Sequence, residues 1–176
     1  RRQPLGRLVE DQQLGVGHQR AADRQHLLFA AGELVAHVAL ALGQPPYAEA
    51  AHRHIALVGE CEHDAREVMI EGPAGILRSA PLAERPLWIP SRGRLEWPNG
   101  AVAEAFSAED PESLRGPQFD AAWCDELAKW RQAQAAFDML QFGLRLGRHP
   151  RQLITTTPRP IALLKRLIAD PRSAVT

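Results

Sequence analysis

Hydrophobic residues in this chain gather into short runs, and the period of each run predicts an element. IALVG (55–59) is an unbroken apolar run with β-branched residues and a terminal glycine, the pattern of a strand buried on both faces of a parallel sheet. Residues 64–70 read as a helix that Gly72 and Pro73 stop. RLEW (94–97) and AVAEAF (101–106) flank Pro98-Asn99-Gly100 and read as a hairpin, because Asn-Gly supplies the positive φ angles that tight turns need. Ser107, with Asp110 three residues on, has the form of a capping-box helix start. Residues 119–124 are the next strand, about 20 Å long at ~3.3 Å per residue. Residues 127–146 put Trp130, Phe137, Leu140 and Leu144 at helical spacing, giving a helix about 30 Å long at ~1.5 Å per residue. QLITT (152–156) is the neighbouring parallel strand, and 160–169 a further helix.

Strand, long helix and strand make a right-handed βαβ unit, so the loops after Cys124 and Ile154 open on one edge of the sheet, where such folds bind ligands. The fold class that follows is α/β, a mostly parallel sheet with flanking helices and a β-hairpin insertion. Upstream, residues 26–43 have the apolar density of a buried helix, ended by Gly43, Pro45 and Pro46, while 1–25 show little periodicity. The composition also changes: 1–54 contain no Lys, Ser, Thr, Asn, Ile, Met, Cys or Trp. We divide the chain into an atypical leader (1–40), disordered or translated from a wrong reading frame, and a partial domain (41–176).

Composition narrows the class only slightly. A chain of 176 residues with 45% hydrophobic and 6% aromatic residues is the size of one globular domain. Its 21 basic residues balance 21 acidic ones, so no overall field draws it to nucleic acid or membrane. Cys61 and Cys124 are the only cysteines and read as reduced thiols, and no apolar run is long enough for a bilayer, which together predict a cytoplasmic protein. His52, His54, Cys61 and His63 match no common zinc spacing and read as incidental polar residues. Trp88, Trp97, Trp123 and Trp130 read as core or hairpin packing rather than base-stacking platforms. Arg145, Arg148, Arg151, Arg159, Arg166 and Arg172 make the last third locally basic, either a solvated face or a phosphate contact.

The sharper signal is in FDAAWCDELAKW (119–130), where Asp125 and Glu126 follow the apolar run directly. Acidic neighbours at the carboxyl end of a buried strand form the arrangement of a Walker B motif: the aspartate joins a magnesium shell and the glutamate polarises the attacking water. The competing reading makes Asp125 the N-cap of a helix starting at Glu126, with both acids favoured by the helix dipole.

Five stretches extend this. IALVGE (55–60), WPNGA (97–101), FSAEDPESLRGPQFDAAWCDELAKW (106–130), DMLQFGLRLG (138–147) and TTTPRP (155–160) together resemble the ATPase domain of the large terminase subunit of tailed bacteriophages and phage-like gene transfer agents. The resemblance runs from about residue 40 to 176. It implies a P-loop NTPase-type fold that packages double-stranded DNA into a procapsid, with ATP and Mg²⁺ as cofactors. The implied partners are the portal protein, the small terminase subunit and further copies in a ring. By the same resemblance Asp125 is the magnesium-associated aspartate, Glu126 the catalytic glutamate, and Thr155, Thr156 and Thr157 the coupling motif, whose hydroxyls sense the nucleotide state. A strand end rich in Thr because β-branched residues suit strands is the plainer account of that run. Arg115-Gly116 matches a recurrent position and is given no catalytic role.

The family's phosphate-cradling Walker A loop, GxxxxGK[ST], has no counterpart. Lys129 precedes Trp130 and Lys165 precedes Arg166, so no Gly-Lys-Ser/Thr triplet occurs in the chain. Full-length relatives also continue into an RNase H-type nuclease domain, so this chain is expected not to cut DNA. The domain is therefore expected to be incomplete and to hydrolyse negligible ATP alone. Two other classes stand beside this one. One is a non-catalytic remnant serving as a protein-interaction module. The other is a different P-loop enzyme such as a helicase, in which WPNGA and LRGPQFD have no reason to occur together.

Overall fold

The computed structural model describes residues 53–147 and 150–175. The leader, the helix read over 26–43, His52 and Arg148 lie outside the described residues.

Six strands form one sheet: β1 (His54–Gly59), β2 (Leu87–Ile89), β3 (Arg94–Glu96), β4 (Val102–Ser107), β5 (Ala121–Asp125) and β6 (Arg151–Thr155). Their order across the sheet is β2-β3-β4-β1-β5-β6. β4, β1, β5 and β6 run parallel, and β2 and β3 extend the sheet as antiparallel strands. This is the expected mostly parallel α/β sheet. The parallel register brings Ser107, Gly59, Asp125 and Thr155 to one edge, with Gly59 opposite Ser107 and Asp125 opposite Thr155.

Alternation along the strands divides the interior in two. Ile55, Leu57, Ala103 and Trp123 pack with Met69, Ile70 and Ile76 on one face. Ala56, Val58, Ala122 and Cys124 pack with Phe137, Leu140 and Leu163 on the other. Both faces of β1 and β5 are thus covered, which is why their sequences read as continuous apolar runs. The first face is closed by α1 (Glu62–Asp64), which continues into a π-helical stretch (Ala65–Ile70), and by α2 (Ile76–Ser79). The second is closed by α3 (Ala133–Gly143) and α4 (Ala162–Ala169). Gly59 is required at the turn into α1, because a Cβ there would lie 2.7 Å from the backbone nitrogen of Ala65.

Three local readings need correction. The helix expected over 127–146 is a 3₁₀ turn (Leu127–Lys129) followed by the 11-residue α3, about 16 Å at ~1.5 Å per residue. The break falls where the Trp130 indole turns back to donate to the Asp125 carbonyl, 2.9 Å away. Ser107 starts no helix: its hydroxyl accepts the Glu109 N–H within a turn, and only a 3₁₀ segment (Pro111–Leu114) follows. The hairpin joins β3 to β4 as read, but among its turn residues only Gly100 takes a positive φ, +84°. Asn99 acts through its side chain, accepting the Ala101 N–H at 3.0 Å.

The tryptophans are structural: Trp97, Trp123 and Trp130 are buried, and Trp88 packs against the first core. Among the described residues no group of three or more His, Cys, Asp or Glu could hold a metal ion. No described helix is long and apolar enough to cross a membrane.

Candidate functional site

Two polar residues are buried among the described ones, Asp120 and Asp125, and they stand at opposite ends of β5. Asp120 is fully engaged. Its carboxylate takes the Arg53 guanidinium at 2.9 Å and the His54 N–H at 3.0 Å, clasping the start of β1 to the start of β5. A buried carboxylate with a buried cation and a backbone donor is a structural device.

Among the described residues Asp125 has no such cation within ion-pair distance. Its side-chain hydrogen bond comes from the Thr155 hydroxyl at 2.6 Å, across the β5–β6 register. Burial is the main reason its carboxyl is pushed above its ordinary value, and the Thr155 hydrogen bond opposes that shift. The charges of Glu126 and Asp64 push the same way as burial, and Lys129 pulls against them. A carboxylate held dry, at a sheet edge, beside like charges is poised to take a cation; Asp125 and the Thr155 hydroxyl are hard oxygen donors that suit Mg²⁺. The helix-cap reading fails: no helix starts at Glu126, Glu126 itself is the N-cap residue of the short 3₁₀ turn and gives it no side-chain bond, and the Asp125 carboxylate accepts the Thr155 hydroxyl instead.

Glu126 follows in an unusual backbone. It is the one described non-glycine residue with positive φ, at φ 51° and ψ 42°. Left-handed geometry costs a side-chain-bearing residue about 1–2 kcal/mol, so the surroundings must fix it. Three contacts do so: the Lys129 N–H donates to the Glu126 carbonyl at 2.8 Å, the Ala128 N–H to the Thr156 hydroxyl at 2.9 Å, and the Trp130 indole to the Asp125 carbonyl at 2.9 Å. The Glu126 carboxylate lies against Thr157, with the hydroxyl at 3.0 and 3.2 Å from its two oxygens and the Thr157 N–H at 3.3 Å. The Lys129 ammonium is 3.7 Å away.

Asp125, Glu126 and the three threonines therefore meet at one edge. Trp130, expected from sequence as packing, also braces this edge through its indole; its position five residues after Asp125 is the signal in the sequence. Thr155 also accepts the Trp123 indole N–H at 3.1 Å, tying the site to the first core. Cys124, fully buried beneath, has its thiol pushed up by burial and by the Asp125 charge, and is inert. Of the basic residues in the last third, Arg145, Arg151, Arg159, Arg166 and Arg172 are exposed. Arg172 pairs with Asp170, and Arg166 bonds Gln134.

A family model described as "Terminase large subunit, T4likevirus-type, N-terminal" matches residues 29–173. No curated protein matches. Among solved structures, the Thermus phage P74-26 large terminase ATPase domain is similar at 17% identity and TM-score 0.52, and a point mutant of that domain at 14% and 0.50. Each similarity covers 83% of this chain; the chain covers 62% of the first of those domains and 63% of the second, so it spans less than two thirds of either. At that identity the likeness establishes a shared fold, and the family model, matched over most of the chain, establishes kinship: the chain belongs to the family of large terminase subunit N-terminal domains.

Proposed function

We propose that this chain carries the Walker B and coupling half of an ATP site, and that the intact protein uses it to drive double-stranded DNA into a procapsid. One observation carries the reading: of the two buried carboxylates that flank and end β5, Asp120 is neutralised by Arg53, and Asp125, at the ligand-binding edge, forms no ion pair among the described residues. In this reading Asp125 and Thr155 would hold Mg²⁺. The metal, when bound, supplies charge for the phosphate oxygens. Glu126 orients the attacking water and accepts its proton, and the threonines link this site to the next loop of the sheet. The portal protein, the small terminase subunit and a ring of copies are the partners this function requires.

A second reading has a specific observation in its favour. No Gly-Lys-Ser/Thr triplet is present in these 176 residues, so the complementary phosphate-cradling half is not encoded here and a non-catalytic interaction module remains the alternative. The helicase reading has no support from the family match. Titration with ATP in the presence and absence of Mg²⁺ separates the two that remain. Magnesium-dependent binding supports the motor half-site, and its absence supports the module. The purified chain is expected to turn over negligible ATP, and any turnover that persists in Glu126→Gln contradicts the assignment.

A further inference from the structure

The three threonines at the end of β6 and in the loop after it make three different contacts. Thr155 reaches the Asp125 side chain and the Trp123 indole. Thr156 accepts from the Ala128 backbone, so it braces the turn that follows Glu126. Thr157 alone touches the Glu126 carboxylate, through its hydroxyl and its N–H. The cation within 4 Å of that carboxylate among the described residues is Lys129, at 3.7 Å and partly exposed, too distant to fix a direction.

We infer that Thr157 is the positioning residue of Glu126, holding its carboxylate toward the β6 loop, while Thr156 holds the backbone turn and Thr155 the aspartate. This rests on the reading of Glu126 as the catalytic glutamate, and gives each hydroxyl a separate task. A carboxylate on a flexible side chain samples several rotamers unless a fixed donor selects one. Here the donor sits on the neighbouring strand's loop, 31 residues away in sequence. Loss of the Thr157 contact therefore frees the Glu126 side chain while the Trp130 indole, which lies outside the β6 loop, still holds the Asp125 carbonyl; Thr156, whose hydroxyl also donates to the Thr157 carbonyl at 3.2 Å, moves with that loop. A concerted role for the three hydroxyls predicts no such separation.

The test needs neither nucleotide nor turnover, so its failure is distinguishable from failure of the ATP-site reading. In the isotope-labelled full chain, the three-bond side-chain couplings of Glu126 report its rotamer, and its HN–Hα coupling reports φ. In Thr157→Val the side-chain couplings are expected to collapse toward rotamer-averaged values while the HN–Hα coupling stays at its wild-type value. Thr157→Ser, which keeps the hydroxyl, is expected to restore the single rotamer. Thr156→Val is expected to do the reverse, shifting the backbone coupling first. Thr157 lies in a half-exposed loop, and if the valine disrupts folding, Thr157→Ala reports on the same contact. A Glu126 rotamer unchanged in both Thr157→Val and Thr157→Ala, or a serine variant that fails to restore it, overturns the inference.

Discussion

The two buried carboxylates at the ends of β5, Asp120 just before it and Asp125 at its last position, should answer the same substitution with opposite signs. Replacing Asp125 by Asn keeps the shape and leaves an amide oxygen to accept the Thr155 hydroxyl, but removes a charge that burial disfavours. Because folding raises this carboxyl above its ordinary 3.8, the folded chain holds its proton more tightly than the unfolded chain does. Wild-type stability at this group is therefore greatest below the unfolded value and is lost as pH rises through the folded one, so the penalty grows with pH. Relieving such functional-site strain typically gains about 0.5–2 kcal/mol. That corresponds to a rise in Tm of roughly 1–8 °C for a chain of this size. Asp120→Asn instead strands the Arg53 guanidinium, whose side chain is 12% exposed, and should cost about 3–5 kcal/mol. Thermal unfolding followed by circular dichroism checks both. The Asp125→Asn gain should also narrow as the buffer is acidified, since the wild-type carboxyl then becomes neutral too. An Asp125→Asn loss as large as that of Asp120→Asn, or a gain indifferent to pH, would refute the claim that Asp125 is held at a cost.

Other expectations follow from the same contacts. Thr155→Val removes the acceptor of the buried Trp123 indole and the donor to Asp125, and should cost about 1–3 kcal/mol in urea unfolding. Gly59→Ala drives a Cβ against the Ala65 backbone and should cost about 1–3 kcal/mol, whereas Gly100→Ala meets no atom within 4 Å and should cost only the ~1 kcal/mol of a positive φ. Aromatic disulfide titration of the folded chain should modify Cys61 and leave Cys124 untouched until denaturant is added.

The parallel core was legible because burial on both faces writes itself as unbroken apolar runs: IALVG and the run before Asp125 became β1 and β5 within a residue or two. The carboxylate pair was legible for the same reason, since charges directly after such a run must lie at a strand end. The helix after β5 was misjudged because periodicity records which side chains face the core and not where the backbone breaks. Trp130 satisfies helical spacing while its indole stops the helix at the Asp125 carbonyl. The left-handed backbone of Glu126 has no sequence signal either, because Glu does not favour that region and only the surrounding hydrogen bonds impose it. Contacts between Thr157 and Glu126 depend on the β5–β6 register, which pairs Asp125 with Thr155. Period alone does not fix that register.

The central claim is that Asp125 belongs to a magnesium-nucleotide site, and calorimetric titration of the chain and of its Asp125→Asn variant with ATP tests it most directly. The account predicts a binding heat in the wild type that requires Mg²⁺ and disappears in the variant, while the variant remains folded and at least as stable. Binding undiminished by the substitution, or no magnesium-dependent binding in the wild type, would contradict it.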